Sequence, residues 1–295
     1  MTLELKDIYK NFGEKEALRG ISLKAEAGQA LGLLGRNGAG KTTTIRIIMG
    51  IFRQDSGQVI VKDGVKIGYM PEERGLYPKK DILDQMIYFG ELRGLTVKEA
   101  KKRSYDLLEQ LEATEHIKKR LDNLSKGNQQ KIQLAISIIN DPEIVILDEP
   151  FSGLDPVNAV LLKRMIENLV KQNKVVLFSS HQMSYVEEFC RHICIIRDGK
   201  VVSDGILSDI KRSYPRNRVL IVPEREEDIA RLCKLSASLV TDVQDSIFIL
   251  KEPEDKSRLM TLLVENQIPV ERFEVMEPTL EEIFVEKAGA NIETV

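Results

Sequence analysis

Two short runs in this sequence carry residues that could do chemistry together. The first, "GRNGAGKTT" at 35–43, has the form G-x-x-x-x-G-K-[ST]. Glycines in such a loop let backbone N–H groups converge on phosphate oxygens, and the helix that follows adds the positive end of its dipole. Lys41 would reach β- and γ-phosphate oxygens, and the hydroxyl of Thr42 would ligate Mg²⁺. By residue frequency the pattern arises by chance in about one chain of this length in a hundred, and the plain alternative is a glycine-rich structural turn. The second run, "EIVILDEP" at 143–150, ends an apolar strand in Asp148 and Glu149. An acidic pair at a strand end is common in turns. Behind a phosphate loop it acquires a use: Asp148 would hold Mg²⁺ through water and Glu149 would polarise an attacking water.

Both runs need strands to present them. "QALGLLG" reads as a short buried strand entering the glycine loop, and a helix follows from Lys41 to about Gly50. "EIVILDEP" and "KVVLFSS" are continuous apolar runs of the kind found in parallel strands covered on both faces. Strands alternating with helices imply an α/β sandwich. Before the loop, "LELKDIYKNFGEKEALRGISLKAEAG" alternates like antiparallel strands; after the helix, "DSGQVIVKDGVKIGYM" returns to strands, with turns expected at Ser56-Gly57 and Asp63-Gly64. From about Asp81 to Asn140 the spacing is helical, with Leu107, Leu108 and Leu111 on one face. "CIIRDGKVVSDG" signals a hairpin at Asp198-Gly199. After "RSYPRN" the order strand, helix, strand, strand, helix, strand and a final helix from Thr279 fits a small ferredoxin-like unit. The expected domains are 1–214, with its helical part at about 81–140, and 215–295.

Composition removes several classes. The 295 residues are 42% hydrophobic and carry a net charge of −3 with both signs spread throughout, which gives no electrostatic footprint for nucleic acid. No apolar run approaches the roughly 18 residues of a membrane span, and the first residues lack a secretory core, so a cytoplasmic chain, held at a membrane only through partners, is expected. Cys190, His192 and Cys194 offer three ligands at most, and Cys194 lies in the apolar run "HICII"; buried thiols are the expectation, without a disulfide.

A third run, "LSKGNQQK" at 124–131, resembles LSGGQ, the signature of ATP-binding-cassette (ABC) ATPases, with Lys126 and Asn128 as departures. With it, roughly the first 210 residues resemble the nucleotide-binding domain of that family, motif by motif and in family order. The resemblance implies a P-loop NTPase core with an antiparallel β subdomain and a helical subdomain, followed here by the small α+β domain. It implies an Mg²⁺-dependent ATP hydrolase in which Gly35, Arg36, Asn37, Gly38, Ala39, Gly40, Lys41, Thr42 and Thr43 bind the phosphates and Phe12, in "KNFGE", stacks on adenine, with nearby Tyr9 the second choice. His181, in "SSHQM", matches the switch histidine that contacts the γ-phosphate and acts with Glu149 and Lys41 in catalysis. Ser152, Gly153, Leu154 and Asp155 match the D-loop, which crosses to the opposite subunit. Where the family has the Q-loop glutamine this chain has Glu72, whose carboxylate suits a hard cation, so Thr42, Asp148 and Glu72 form the expected Mg²⁺ set. In the signature, Ser125 is the candidate helix cap and Gly127 would leave backbone accessible beside Lys126 and Asn128, serving the nucleotide of a second such domain. The final run "EPTLEEIFVEKAG" resembles exporter ATPases that work with separate type-two permeases, including sodium-extrusion and drug-efflux systems. The expected partners are therefore a polytopic permease, docking near "RGLYPKK", and a second nucleotide-binding domain, identical or paralogous. Two other readings remain open at this point: a soluble ABC ATPase acting on ribosomes or DNA, and a binding-only regulator.

Overall fold

The computed structural model describes residues 1–73 and 75–289. Arg74 of the expected docking segment and residues 290–295 of the expected second domain lie outside them.

The chain divides into two compact units: Met1–Leu207 together with the chain from Phe284 onward, and Ser208–Ile283. The division falls ahead of Tyr214, and the end of the last helix returns to the first unit. The order of elements is β1 (Thr2–Phe12), β2 (Lys15–Glu26), β3 (Gln29–Leu34), α1 (Lys41–Ile48), β4 (Ser56–Ile60), β5 (Ile67–Met70), α2 (Ile82–Leu92), α3 (Val97–Gln110), α4 (Lys126–Ser137), β6 (Ile144–Asp148), α5 (Pro156–Lys171), β7 (Val175–Ser179), α6 (Met183–Phe189), β8 (His192–Arg197), β9 (Lys200–Ile206) and α7 (Leu207–Arg212).

A six-stranded sheet, β5-β6-β7-β3-β8-β9, organises the first unit. All its pairings are parallel except that of β9, which lies antiparallel at one edge. Every residue of β6 (IVILD) and β7 (VVLFS) is buried, as an unbroken apolar strand covered on both faces requires. The register sets Asp148 opposite Ser179 and Ser179 opposite Leu33, so the segments that follow β6, β7 and β3 leave the sheet side by side. The carboxyl ends of parallel strands are where open α/β sheets bind ligands. A second, antiparallel sheet, β2-β1-β4, alternates buried and exposed residues, and its Leu3, Ile8, Leu18 and Ile21 share one core with Leu31, Leu33, Ile146 and Leu177.

One expected turn is a strand instead. Ser56-Gly57 begins β4, because the chain passes so close to β1 that a Cβ on Gly57 would lie 2.2 Å from the Asp7 carbonyl oxygen. The helical region is as its spacing predicts: Leu107, Leu108 and Leu111 are buried, and Thr96 and Glu99 close a capping box at the start of α3. Cys190 and Cys194 are buried, their thiols pushed up by burial, and His192 Nε2 meets the Asp204 carboxylate at 2.9 Å.

The second unit continues with β10 (Arg218–Pro223), α8 (Glu226–Ser236), β11 (Val240–Gln244), β12 (Ile247–Leu250), α9 (Asp255–Glu265) and β13 (Val270–Met276), and α10 (Leu280–Ala288) is the last element among the described residues. Its antiparallel sheet has the order β11-β12-β10-β13, the split arrangement of a ferredoxin-like unit. Val219, Ile221, Leu232, Phe248 and Leu259 form its separate core.

A candidate nucleotide site

The phosphate loop leaves β3 at Gly35 and enters α1 at Lys41. Gly38 and Gly40 have φ of 81° and 116°, which side-chain-bearing residues rarely adopt. Neighbours also press on the loop: a Cβ on Gly35 would stand 2.6 Å from the Ile196 carbonyl oxygen, and one on Gly40 would stand 2.7 Å from Leu18 Cδ2. No side chain caps α1, so the first N–H groups of the helix face outward with its dipole. Lys41 Nζ donates to the carbonyls of Gly35 at 2.6 Å and Arg36 at 3.4 Å. Burial pulls its pKa down, while the carboxylates of Glu149, Asp148 and Glu72 act in the opposite direction.

The acidic pair is held by the neighbouring strand. Ser179 Oγ donates to Asp148 Oδ1, and Tyr69 OH donates to Asp148 Oδ2 at 3.4 Å. Burial, with Asp148 beside it, pushes the Tyr69 phenol up to about 12. Glu149 takes a left-handed backbone (φ 51°) and its N–H donates to the Ser179 carbonyl at 3.0 Å. Its Oε2 lies 2.8 Å from His181 Nδ1 and accepts from Ser180 Oγ at 3.3 Å. Burial raises the Glu149 pKa, and the hydrogen bonds from His181 and Ser180 partly offset that rise. The carboxylate side chain is 8% exposed whereas the imidazole is 66% exposed, so the pair has one dry and one open end.

Lys41, Asp148, Glu149 and His181 line one cavity of about 590 Å³, together with Phe12, Arg36, Asn37, Gly38, Gly40, Thr42, Thr43 and Glu72. Gly35 and Ala39 shape the loop from behind without lining it. Phe12 is 44% exposed, with its ring edge-on to Phe52 at 5.3 Å and Lys10 Nζ 5.5 Å from its centroid. Two lining residues, Lys15 and Ala17, carry no sequence signal beyond strand alternation. Thr42, Asp148 and Glu72 bring a hydroxyl and two carboxylates to the cavity, an oxygen set that fits Mg²⁺ held jointly with substrate phosphates.

The signature residues lie elsewhere. Ser125 caps α4, its hydroxyl accepting from the Asn128 N–H at 3.4 Å, and Lys126 is exposed. Gly127, expected as accessible backbone, is buried: the start of α5 packs there, and a Cβ on Gly127 would meet Asn158 Nδ2 at 2.6 Å. Asp155 caps α5 through the Asn158 N–H at 2.9 Å, and Ser152, Gly153 and Leu154 form the turn before it. None of Ser125, Lys126, Gly127, Asn128 or residues 152–155 lines the cavity. Helix α4 is nevertheless tied to both carboxylate loops. Gln133 Nε2 donates to the Pro71 carbonyl at 2.7 Å and the Glu73 carbonyl at 3.3 Å, and Gln130 Nε2 donates to the Pro150 carbonyl at 2.9 Å. Neither glutamine was a sequence candidate; Gln130 lies within the "LSKGNQQK" run and Gln133 just after it.

Known proteins share both parts of this chain. Residues 18–152 match the model of the ABC transporter family, and residues 205–288 match that of the ATP-binding protein DrrA1-3-like C-terminal domain. The uncharacterized ABC transporter ATP-binding protein YhaQ of Bacillus subtilis (strain 168) is 40% identical over 297 residues, covering 98% of this chain and 99% of that protein. The linearmycin resistance ATP-binding protein LnrL of the same organism is 31% identical, with 98% and 99% covered. A solved ATP binding subunit of an ABC transporter superposes with a TM-score of 0.67 at 27% identity, over 72% of this chain and 93% of that one. The chain therefore belongs to the ABC transporter ATP-binding proteins, as an ATPase domain followed by a DrrA-like C-terminal domain.

Proposed function

We propose that this chain is the ATP-hydrolysing subunit of a membrane exporter and powers transport through a separate permease. The observation that carries the reading is the convergence of Lys41, Thr42, Asp148, Glu149 and His181, from three neighbouring strand ends, on one cavity, with Glu149 hydrogen-bonded to His181. The matched DrrA-like domain and the resistance function named for LnrL support the exporter branch.

In this reading Phe12 stacks on adenine, while the loop N–H groups and Lys41 bind the phosphates. Thr42, Asp148 and Glu72 hold Mg²⁺, which supplies neutralising charge to the transferring phosphoryl group. Glu149 polarises the attacking water and takes its proton; its buried, raised-pKa carboxylate is a stronger base than an exposed one. His181 keeps that carboxylate aimed through its 2.8 Å contact and turns its open edge toward the γ-phosphate. Ser125 and Gly127 serve the nucleotide of a second nucleotide-binding domain, and Ser152–Asp155 cross to it. The permease docks at the groove lined by Tyr77, Lys80, Asp84, Gln85 and Tyr88, after the Glu72 loop. The chain then sits peripherally on the cytoplasmic face; no helix among the described residues is long and apolar enough to cross a membrane.

Pull-down of the tagged chain from detergent-solubilised membranes tests this role. A polytopic permease should copurify. Salt-sensitive copurification with ribosomes or DNA and no membrane protein would replace the exporter reading with that of a soluble ABC ATPase.

A further inference from the structure

The Asp198-Gly199 hairpin and the end of "EPTLEEIFVEKAG" take no part in the chemistry above, yet they meet behind the phosphate loop. Strands β8 and β9 pair through Arg197 and Lys200, leaving a two-residue turn whose φ values of 49° and 74° suit the type I′ geometry. Two other segments hold this turn. The Gly199 N–H donates to the carbonyl of Ala39, inside the phosphate loop, at 3.0 Å, and the Gly199 carbonyl accepts the Arg19 N–H of β2 at 2.7 Å. The junction has no spare room: a Cβ on Gly199 would stand 2.7 Å from the Ala17 carbonyl oxygen and 3.2 Å from Leu18 Cα. Ala17 itself lines the nucleotide cavity.

On the other side of the turn, a guanidinium N–H of Arg197 donates to the Lys287 carbonyl at 3.4 Å. The same group lies against Gly289, where a Cβ would stand 2.6 Å from Arg197 Cζ. Gly289 has φ 71° and donates its N–H to the Val285 carbonyl at 3.1 Å, so it is the glycine that ends α10. The turn, β2, the phosphate loop and the described residues 284–289 all belong to the first unit.

We propose that the Arg197–Gly199 turn is a positioning strut for the phosphate loop, and that the C-terminal turn at Lys287–Gly289, seated on Arg197, fixes the strut and thereby sets ATP affinity. The proposal rests on the phosphate loop being the ATP site. The loop binds through backbone N–H groups, whose directions depend on peptides such as that of Ala39. Glu149 and His181 follow β6 and β7 instead. Because the strut holds the Ala39 peptide rather than the Lys41 and Thr42 side chains, disturbing it weakens ground-state and transition-state binding of the phosphates alike, which raises KM and leaves kcat within about twofold.

The test measures Mg·ATP affinity, phosphate release and melting temperature on the full chain. Arg197→Ala is the safe variant, since that side chain is 47% exposed. We expect Gly199→Ala to weaken ATP binding about tenfold, and Arg197→Ala and Gly289→Ala about threefold each, with kcat within about twofold of the unmodified chain. The double variant Arg197→Ala/Gly289→Ala should bind no worse than the weaker single one, because both break the same contact. Unchanged affinity in both single variants, additive losses in the double, or kcat falling in step with melting temperature would overturn the strut while leaving the ATP site intact. Failure of the unmodified chain to bind ATP would overturn both.

Discussion

Two helices of the first unit have a glycine at their N-terminal end, Gly40 just before α1 and Gly127 in the first turn of α4, and are finished in opposite ways. Helix α1 starts behind Gly40 with no side chain on its first N–H groups, and Lys41, Asp148, Glu149 and His181 surround the cavity in front of it. Helix α4 starts at Ser125, whose hydroxyl accepts from Asn128, and its Gly127 lies buried against Asn158, away from that cavity. The contrast teaches that a helix N-terminus becomes an anion site through its surroundings: open donors, a nearby cation and room for the ligand. The α1 end meets those conditions within one chain. The α4 end retains its dipole and an exposed Lys126 but faces none of its own chain's catalytic groups, which supports a role toward a neighbour's nucleotide.

The sharpest way to break the comparison is Gly127→Asp. On the proposed reading it places a carboxylate where a neighbour's γ-phosphate would dock, and a Cβ 2.6 Å from where Asn158 Nδ2 now packs. ATP-dependent dimerisation should be lost altogether, by light scattering, while ATP binding by the monomer stays within about twofold, since α1 is untouched. Lost monomer binding, or a dimer that survives, would erase the division of labour between the two helices.

His181→Ala probes the α1 side. Hydrolysis should fall about tenfold or more with a smaller change in ATP affinity, because the histidine acts on the catalytic carboxylate. The variant also predicts a pH effect. Glu149 works as a base when deprotonated, so the rate is lost as pH falls through its pKa. Burial already raises that pKa and the His181 hydrogen bond lowers it, so removing the imidazole should move the acid limb of the pH–rate profile to higher pH. Equal losses of rate and affinity with an unmoved acid limb would make His181 structural. A smaller effect is expected at the cavity rim: Phe12→Ala should raise KM for ATP about fivefold at constant kcat, the weight of one base–aromatic stack. An unchanged KM would return Phe12 to the hydrophobic packing it makes with Phe52.

The two halves of the comparison also differ in how legible they were. The phosphate loop and the Asp148–Glu149 strand end are contiguous patterns on a strand, a loop and a helix, so residue order alone locates them. The second unit was readable for a similar reason, because strands and helices alternate there between clear turn signals. Lys15, Ala17, Tyr69 and Ser179 meet the same site only through sheet register between distant segments, which no local spacing encodes. The burial of Gly127 depends on where α5 packs, and Gly57 reads as a turn in the sequence whereas its positive φ serves a close approach of β1.

The central claim is that Glu149 activates water for ATP hydrolysis in the cavity that Lys41 and Thr42 share. The direct measurement is phosphate release alongside equilibrium ATP binding in Glu149→Gln. The substitution keeps the size and the hydrogen-bonding oxygen and removes the base, so ATP should bind with affinity within about threefold while turnover drops at least about tenfold, toward the roughly 10²- to 10⁴-fold typical of a lost general base. Turnover equal to that of the unmodified chain would contradict the account.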